Sequence, residues 1–256
     1  MSVDVYKGVL SSKLIEEFLG YYSVKTDHDD DRPDVSSKHP AWNTKEFPTL
    51  QLANVLDSVL DLPYSVEQTI FYRSRISFNL HVDSRDGNQD ILYKNILIPL
   101  KHSGPASTVI FKNTWLGSAT RFSKLGRNKF YYKIPRLDGT LEPVEDIRTV
   151  TDLSEYAITE QELADLIEKR TRTAQSVTQG YSSISGYNPD KQFDNKLHNK
   201  YLSHIAIEDL HGLEVEQVVE WNPGDVIVFD RQHLHCAGSG HDVKYGITIF
   251  TTKDRP

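Results

Sequence analysis

The chain has 256 residues, a formal net charge of −7 and a charged fraction of 25%. That length supports one substantial core, and fits an all-β barrel or sandwich with additions better than two domains. The acidic balance argues against a nucleic-acid duplex as partner, because phosphate binding needs a clustered positive field.

No apolar run approaches a membrane span. Met1-Ser2-Val3-Asp4 lacks the cationic start and apolar core of a secretion signal. Cys236 is the only cysteine, which excludes an internal disulfide and a cysteine-type zinc site. A nucleophile elbow, a phosphate-cradling loop and a dinucleotide fingerprint are all missing from the sequence.

Ser11 to Tyr22 carries Leu14, Ile15, Phe18 and Leu19 at helical spacing, with Ser11 or Ser12 as N-cap, and predicts a first helix. Residues 24–48 are rich in Asp, Pro and Ser and read as a loop bordering the site. The His28-Asp29-Asp30 within it lacks alternation and reads as solvated. Leu50 to Leu62 repeats Leu52, Val55, Leu56, Val59 and Leu60, a second amphipathic helix.

From Arg75 to Asp83, apolar residues fall at 76, 78, 80 and 82 and polar ones at the odd positions. That alternation predicts a half-buried strand with His81 and Asp83 on one face. Core strands are expected near 66–83, 91–101, 107–113, 213–220, 225–230 and 243–252, with 128–134 and 201–207 as further candidates. Lys124, Arg127, Lys129, Lys133 and Arg136 interleave with aromatics and read as a solvated edge strand in preference to an anion-binding surface. A helix is expected from Thr159 to about Thr173, then a polar tract whose residues 176–198 form a lid that orders with substrate.

Near the C-terminal end, Gly224-Asp225 opens a turn before the apolar strand Val226–Phe229. His233 and His235 follow in a loop. Lys244 to Thr252 is the last strand, with Lys244, Gly246, Thr248 and Phe250 on one face. A buried lysine needs an anionic partner, and a dicarboxylate would supply one.

His81 and Asp83, joined by a distant histidine, make the ligand set of the facial triad that holds non-haem Fe(II) and leaves positions open. A lone His-x-Asp is a weak signal. The competing structural reading makes His81 a hydrogen-bonded core histidine and Asp83 a turn residue.

These motifs resemble the Fe(II)/2-oxoglutarate-dependent dioxygenases over two patches, roughly 70–116 and 200–252. The C-terminal segment looks most like the phytanoyl-CoA dioxygenase branch: Gly-Asp, apolar strand, histidine with small residues after it, then a cation on the next strand. The resemblance makes His235, followed by Cys236-Ala237-Gly238, the distal ligand, and leaves His233 beside the site. It puts Lys244 against the far carboxylate of 2-oxoglutarate, with Thr248 beside it. That branch usually has arginine there, whereas lysine is the choice of the prolyl hydroxylases, and lysine binds as a point charge.

The implied fold is mainly β with flanking helices around a double-stranded β-helix (jelly-roll, cupin-like) core. Residues 1–256 would form a single oxygenase domain, with 1–64 as helical buttress, 65–116 and 200–252 as β core and 117–199 as insertion. The implied cofactors are Fe(II), 2-oxoglutarate and O₂, with succinate and CO₂ released. A carboxylate at Asp83 points to hydroxylation, since family halogenases carry a small residue there. Ferrous iron suits a reducing, cytoplasmic setting. The expected substrate is a small polar metabolite or amino-acid-like molecule. Arg75, which shares the parity of the ligands, is the first candidate to bind it, ahead of Arg73 and Arg121. The alternatives are a non-catalytic protein and a 2-oxoglutarate-independent cupin-like metal or ligand binder.

Overall fold

The computed structural model describes residues 3–26, 37–38, 49–74, 77–83, 91–115, 122, 132–139, 141–144, 150–164, 181, 184–240 and 243–253. In chain order its main elements are β1 (Asp4–Tyr6), α1 (Ser12–Thr26), β2 (Ser37–Lys38), α2 (Thr49–Val59), β3 (Tyr64–Ser74), β4 (Leu92–Ser103) and β5 (Ser107–Thr114). There follow β6 (Tyr132–Pro135), β7 (Leu141–Val144), β8 (Val215–Glu220), β9 (Val226–Asp230), β10 (His233–Ala237) and β11 (Val243–Lys253).

A six-stranded antiparallel sheet runs β1-β9-β4-β11-β3-β2, and a three-stranded one runs β10-β5-β8. A short ribbon extends the second sheet beyond β10. His81 forms a bridge with His235, and the Ala237 amide donates to the Phe78 carbonyl at 3.2 Å. With that ribbon, β3-β11-β4-β9 face the ribbon-β10-β5-β8, and the chain crosses between the sheets again and again as it passes through them. This is the double-stranded β-helix, or jelly roll.

β4 and β9 of the major sheet are buried on both faces, which is why Ile96-Leu97-Ile98 and Val226-Ile227-Val228-Phe229 read as apolar runs. Ile96, Ile98, Val226, Val228, Ile247 and Ile249 meet Phe18 of α1 and Leu52, Val55 and Leu56 of α2. Leu97, Ile227, Phe229 and Phe250 face the interior between the sheets. Ser11 caps α1, its hydroxyl accepting from the Leu14 amide at 3.3 Å. The helix continues past Tyr22 to Thr26. α2 stops at Val59, short of Leu62, because Pro63 disfavours helix in the residue before it.

Behind the minor sheet lies a different layer. Val109, Phe111, Leu234 and Cys236 pack on Tyr181, Ile184, Phe193, Leu202, Ile205, Leu210 and Leu213.

Several strand expectations need correction. The strand expected over 66–83 is two pieces: β3 ends at Ser74, and the chain crosses to the other sheet before His81. The loop assigned to His233 and His235 is β10, whose buried histidines disguise a strand as a polar turn. Residues 201–207 are not a strand. A π-helical turn spans His198–Leu202 and a short helix Ile207–Leu210. Of 128–134, the described part belongs to β6, which among the described residues pairs with β7 in a two-stranded sheet separate from the other two.

The helix start at Thr159 is a reciprocal cap, with the Thr159 amide donating to Glu162 Oε2 at 2.8 Å and the Glu162 amide to Thr159 Oγ1 at 3.2 Å. The rest of that helix beyond 164 lies outside the described residues, as do Lys124, Arg127, Lys129 and most of 24–48, including His28.

Candidate functional site

Leu80 and Val82 point into the outer layer of the minor sheet, so the period of two turns His81 and Asp83 inward. His81 and His235 exchange both backbone bonds, each amide donating to the other's carbonyl at 2.9 Å. Residues directly opposed in an antiparallel pair project to the same face. The two imidazoles therefore stand side by side, ring centroids 4.2 Å apart.

Each imidazole is fixed from behind. His81 Nδ1 lies 2.7 Å from the Asn79 carbonyl, and His235 Nδ1 lies 3.0 Å from the His233 carbonyl. A carbonyl only accepts, so both Nδ1 atoms carry hydrogen and donate. That leaves both Nε2 atoms facing Asp83, the tautomer a metal ligand needs. His235 Nε2 is 2.9 Å from Asp83 Oδ2, and His81 Nε2 is 3.8 Å from Asp83 Oδ1. The ligand atoms of the three residues all lie within 4.8 Å of one another. Ligands about 2.1 Å from an ion at right angles stand about 3 Å apart, so the set fits one cation with small adjustments.

His233 is turned away from this cluster. Its Nδ1 donates to the Phe111 carbonyl at 2.7 Å, and Glu216 and Asp230 lie 3.5 and 3.9 Å from its ring nitrogens. A bulge between His233 and His235 separates their roles.

Lys244 occupies the inner face of β11 and is only 2% exposed. Its ammonium lies 4.7 Å from the centroid of the Trp221 ring and 5.8 Å from that of Phe78. Among the described residues no carboxylate pairs with it. Desolvation pushes its pKa down to about 7.

Two positions along, Gly246 carries no side chain for a packing reason. A Cβ there would stand 3.0 Å from the Tyr72 hydroxyl oxygen and 3.1 Å from the Trp221 ring. Tyr72 hydrogen-bonds Thr248, and the Trp221 indole N–H donates to Thr108 Oγ1 at 2.9 Å.

One cavity of about 230 Å³ is lined by His81, Asp83 and His235 as well as by Lys244 and Thr248. It brings the three converging ligand atoms and the buried Lys244 amine into one space. Lys94, the other lysine near the ligands, is committed to Asp230 at 2.8 Å. Cys236 turns its thiol into the outer layer, where burial raises its pKa. Arg75 and Arg121 lie outside the described residues, and Arg73 does not line the cavity. Tyr181 and 184–198, the described part of the expected lid, contribute nothing to its lining.

Two residues that reach Asp83 had escaped notice in the sequence. Asn95 Nδ2 donates to the Asp83 carboxylate, and Arg231 donates to its backbone carbonyl at 3.0 and 2.9 Å. Asn95 carried a weak signal, being a polar residue directly before the apolar run Ile96-Leu97-Ile98 within one strand. Arg231 carried none, since Asp230-Arg231-Gln232 looks like any exposed turn.

No family model matches the chain, and no curated protein matches it. The likeness of the C-terminal motif to the phytanoyl-CoA branch therefore gains no family match. Solved structures do match. HygX from Streptomyces hygroscopicus, with nickel and 2-oxoglutarate bound, is 13% identical over 98% of this chain and 82% of that one, with a TM-score of 0.46. AviO1 from Streptomyces viridochromogenes is 11% identical over 99% and 90%, with a TM-score of 0.44. A Pseudomonas putida prolyl-4-hydroxylase is 9% identical over 100% and 94%, with a TM-score of 0.40. The likeness is one of fold.

Proposed function

We propose that the protein is a non-haem Fe(II)- and 2-oxoglutarate-dependent oxygenase that hydroxylates a small polar metabolite or amino-acid-like substrate. The observation that carries this reading is one cavity holding three converging ligand atoms and the buried Lys244 amine, which has no carboxylate partner among the described residues. On this reading His81, Asp83 and His235 hold Fe(II) on one face. Bound iron, with 2-oxoglutarate and O₂, supplies the oxidising chemistry and releases succinate and CO₂. Lys244 pairs with the far carboxylate of the co-substrate, and Thr248 stands on the same strand face beside it. The walls of Phe78, Leu97 and Phe250 exclude water from the reacting region. Residues 1–256 act as one oxygenase domain, with 1–64 as buttress, 65–116 and 200–252 as β core and 117–199 as insertion. Arg75 remains the proposed contact for an acidic group of the substrate, and 176–198 the proposed lid. Among the described residues no helix is long and apolar enough to cross a membrane, and a reducing cytoplasm suits the metal.

One observation favours a second reading. The 2.9 Å contact between His235 Nε2 and Asp83 Oδ2 also suits a proton in place of a metal, as in a non-catalytic protein with an ionic hydrogen bond. An anaerobic titration separates the two. Adding Fe(II) and then 2-oxoglutarate should produce the visible charge-transfer band of the chelate. A metal complex with no such band points to a 2-oxoglutarate-independent cupin-like protein, and no metal binding at all points to the inert pair.

A further inference from the structure

His81 and His235 are locked by their mutual backbone bonds. Asp83 is held differently. Beyond His81 the ribbon leaves the ladder, and a side chain takes over the work of a neighbouring strand. The guanidinium of Arg231, which is 0% exposed, donates to the Asp83 carbonyl oxygen from Nε at 3.0 Å and from Nη2 at 2.9 Å. Its Nη1 donates to the Glu67 carboxylate and, at 3.3 Å, to the Thr251 carbonyl. The plane lies over Phe250, 5.1 Å from the ring centroid.

The geometry points to Arg231 as a positioning residue that sets where the Asp83 carboxylate stands relative to the two imidazoles. The inference rests on the reading of His81, Asp83 and His235 as a metal centre. Arg231 opens the turn between β9 and β10, so the segment leading to His235 grips the segment carrying Asp83 directly. Two donors on one carbonyl fix the peptide plane and with it the Asp83 Cα. Asn95 then fixes Oδ2, which leaves the carboxylate little freedom before a metal arrives. A planar fork can do this, whereas a lysine, with a single nitrogen, cannot place two coplanar bonds on the same oxygen while reaching Glu67. Glu67 offsets the charge, without which a buried guanidinium would be costly.

Nickel binding to the purified protein, followed by titration calorimetry, tests this. Arg231→Lys retains the charge and should weaken Ni(II) binding about 10- to 100-fold, the range for residues that orient metal ligands. In an Asp83→Ala background the same substitution should change affinity by less than about threefold, because the group it positions is gone. Equal losses in both backgrounds, or unchanged affinity in Arg231→Lys alone, would overturn the proposal.

Glu67→Gln guards against a simple folding defect. It leaves both bonds to Asp83 in place and should bind Ni(II) to within about threefold of wild type. A loss as large as tenfold would mean that charge balance matters and the grip on Asp83 does not. A wild-type protein that binds no Ni(II) overturns the metal-centre reading as well, a result distinct from wild-type binding with Arg231→Lys unaffected.

Discussion

The two ends of the cavity are built on opposite principles. At the triad end each side chain is held from behind: His81 by the Asn79 carbonyl, His235 by that of His233, and Asp83 by Asn95 and Arg231. At the other end the Lys244 ammonium stands by the Trp221 and Phe78 rings, buried and with no carboxylate partner among the described residues. The first end is organised before its ligand arrives, which keeps the cost of ordering out of the binding step. The second is left electrostatically incomplete, so that pairing its charge is available to whatever enters.

The sharpest way to break this contrast is at the triad. His235→Ala or Asp83→Ala should weaken metal binding by more than about 100-fold, beyond the effect typical of outer partners, and abolish the chelate band in an anaerobic Fe(II) titration. Lys244→Ala attacks the other end. Losing one partner of a desolvated ion pair costs about 2–5 kcal/mol, so 2-oxoglutarate affinity should fall by about 100-fold, while Ni(II) affinity holds within about threefold. Equal damage to both ligands would show that the two ends are not separable.

The pH dependence sharpens the comparison further. In the ligand-free cavity desolvation depresses Lys244 to about 7, and a bound carboxylate favours its charged form. Above pH 7 binding therefore takes up a proton, and affinity should fall about tenfold per pH unit. Calorimetry in buffers of different ionisation enthalpy measures that uptake directly. The same shift has a stability consequence without ligand. Between about 7 and the ordinary lysine value of 10.5 the unfolded chain holds the extra proton, so Lys244's contribution makes stability rise with pH across that window. Lys244→Met should flatten both profiles.

The smallest expected effect is that of Gly246→Ala. Its new Cβ would push on Tyr72 and Trp221, destabilising the fold by about 1–3 kcal/mol and weakening co-substrate binding several-fold with metal affinity unchanged. Thermal melts with and without Ni(II) would check both halves of that expectation.

The fold was legible where burial on both faces produced long apolar runs, as in β4, β5, β9 and β11. It was less so where polar residues face inward. His233 and His235 made β10 look like a loop, although both side chains are buried. The break between β3 and the ribbon of His81 was hidden because alternation persists through both pieces while the chain changes sheets. That His81 shares a face with Asp83, and Lys244 with Thr248, was readable from parity, whereas the roles proposed for them came from the resemblance. Arg231 was not, since its partner lies 148 positions away and local sequence has no means of announcing such a contact.

β11 follows the other strands of the major sheet in chain order, yet it lies between β3 and β4 within that sheet. A nascent chain lacking it has no centre on which to close, and its earlier strands must wait with unsatisfied edges. His81 and Asp83 emerge during synthesis well before His235, so the three side chains come together only once β10 has been made. A chain interrupted before Val243 would lack the strand that joins β3 to β4, and the major sheet would be split at its middle.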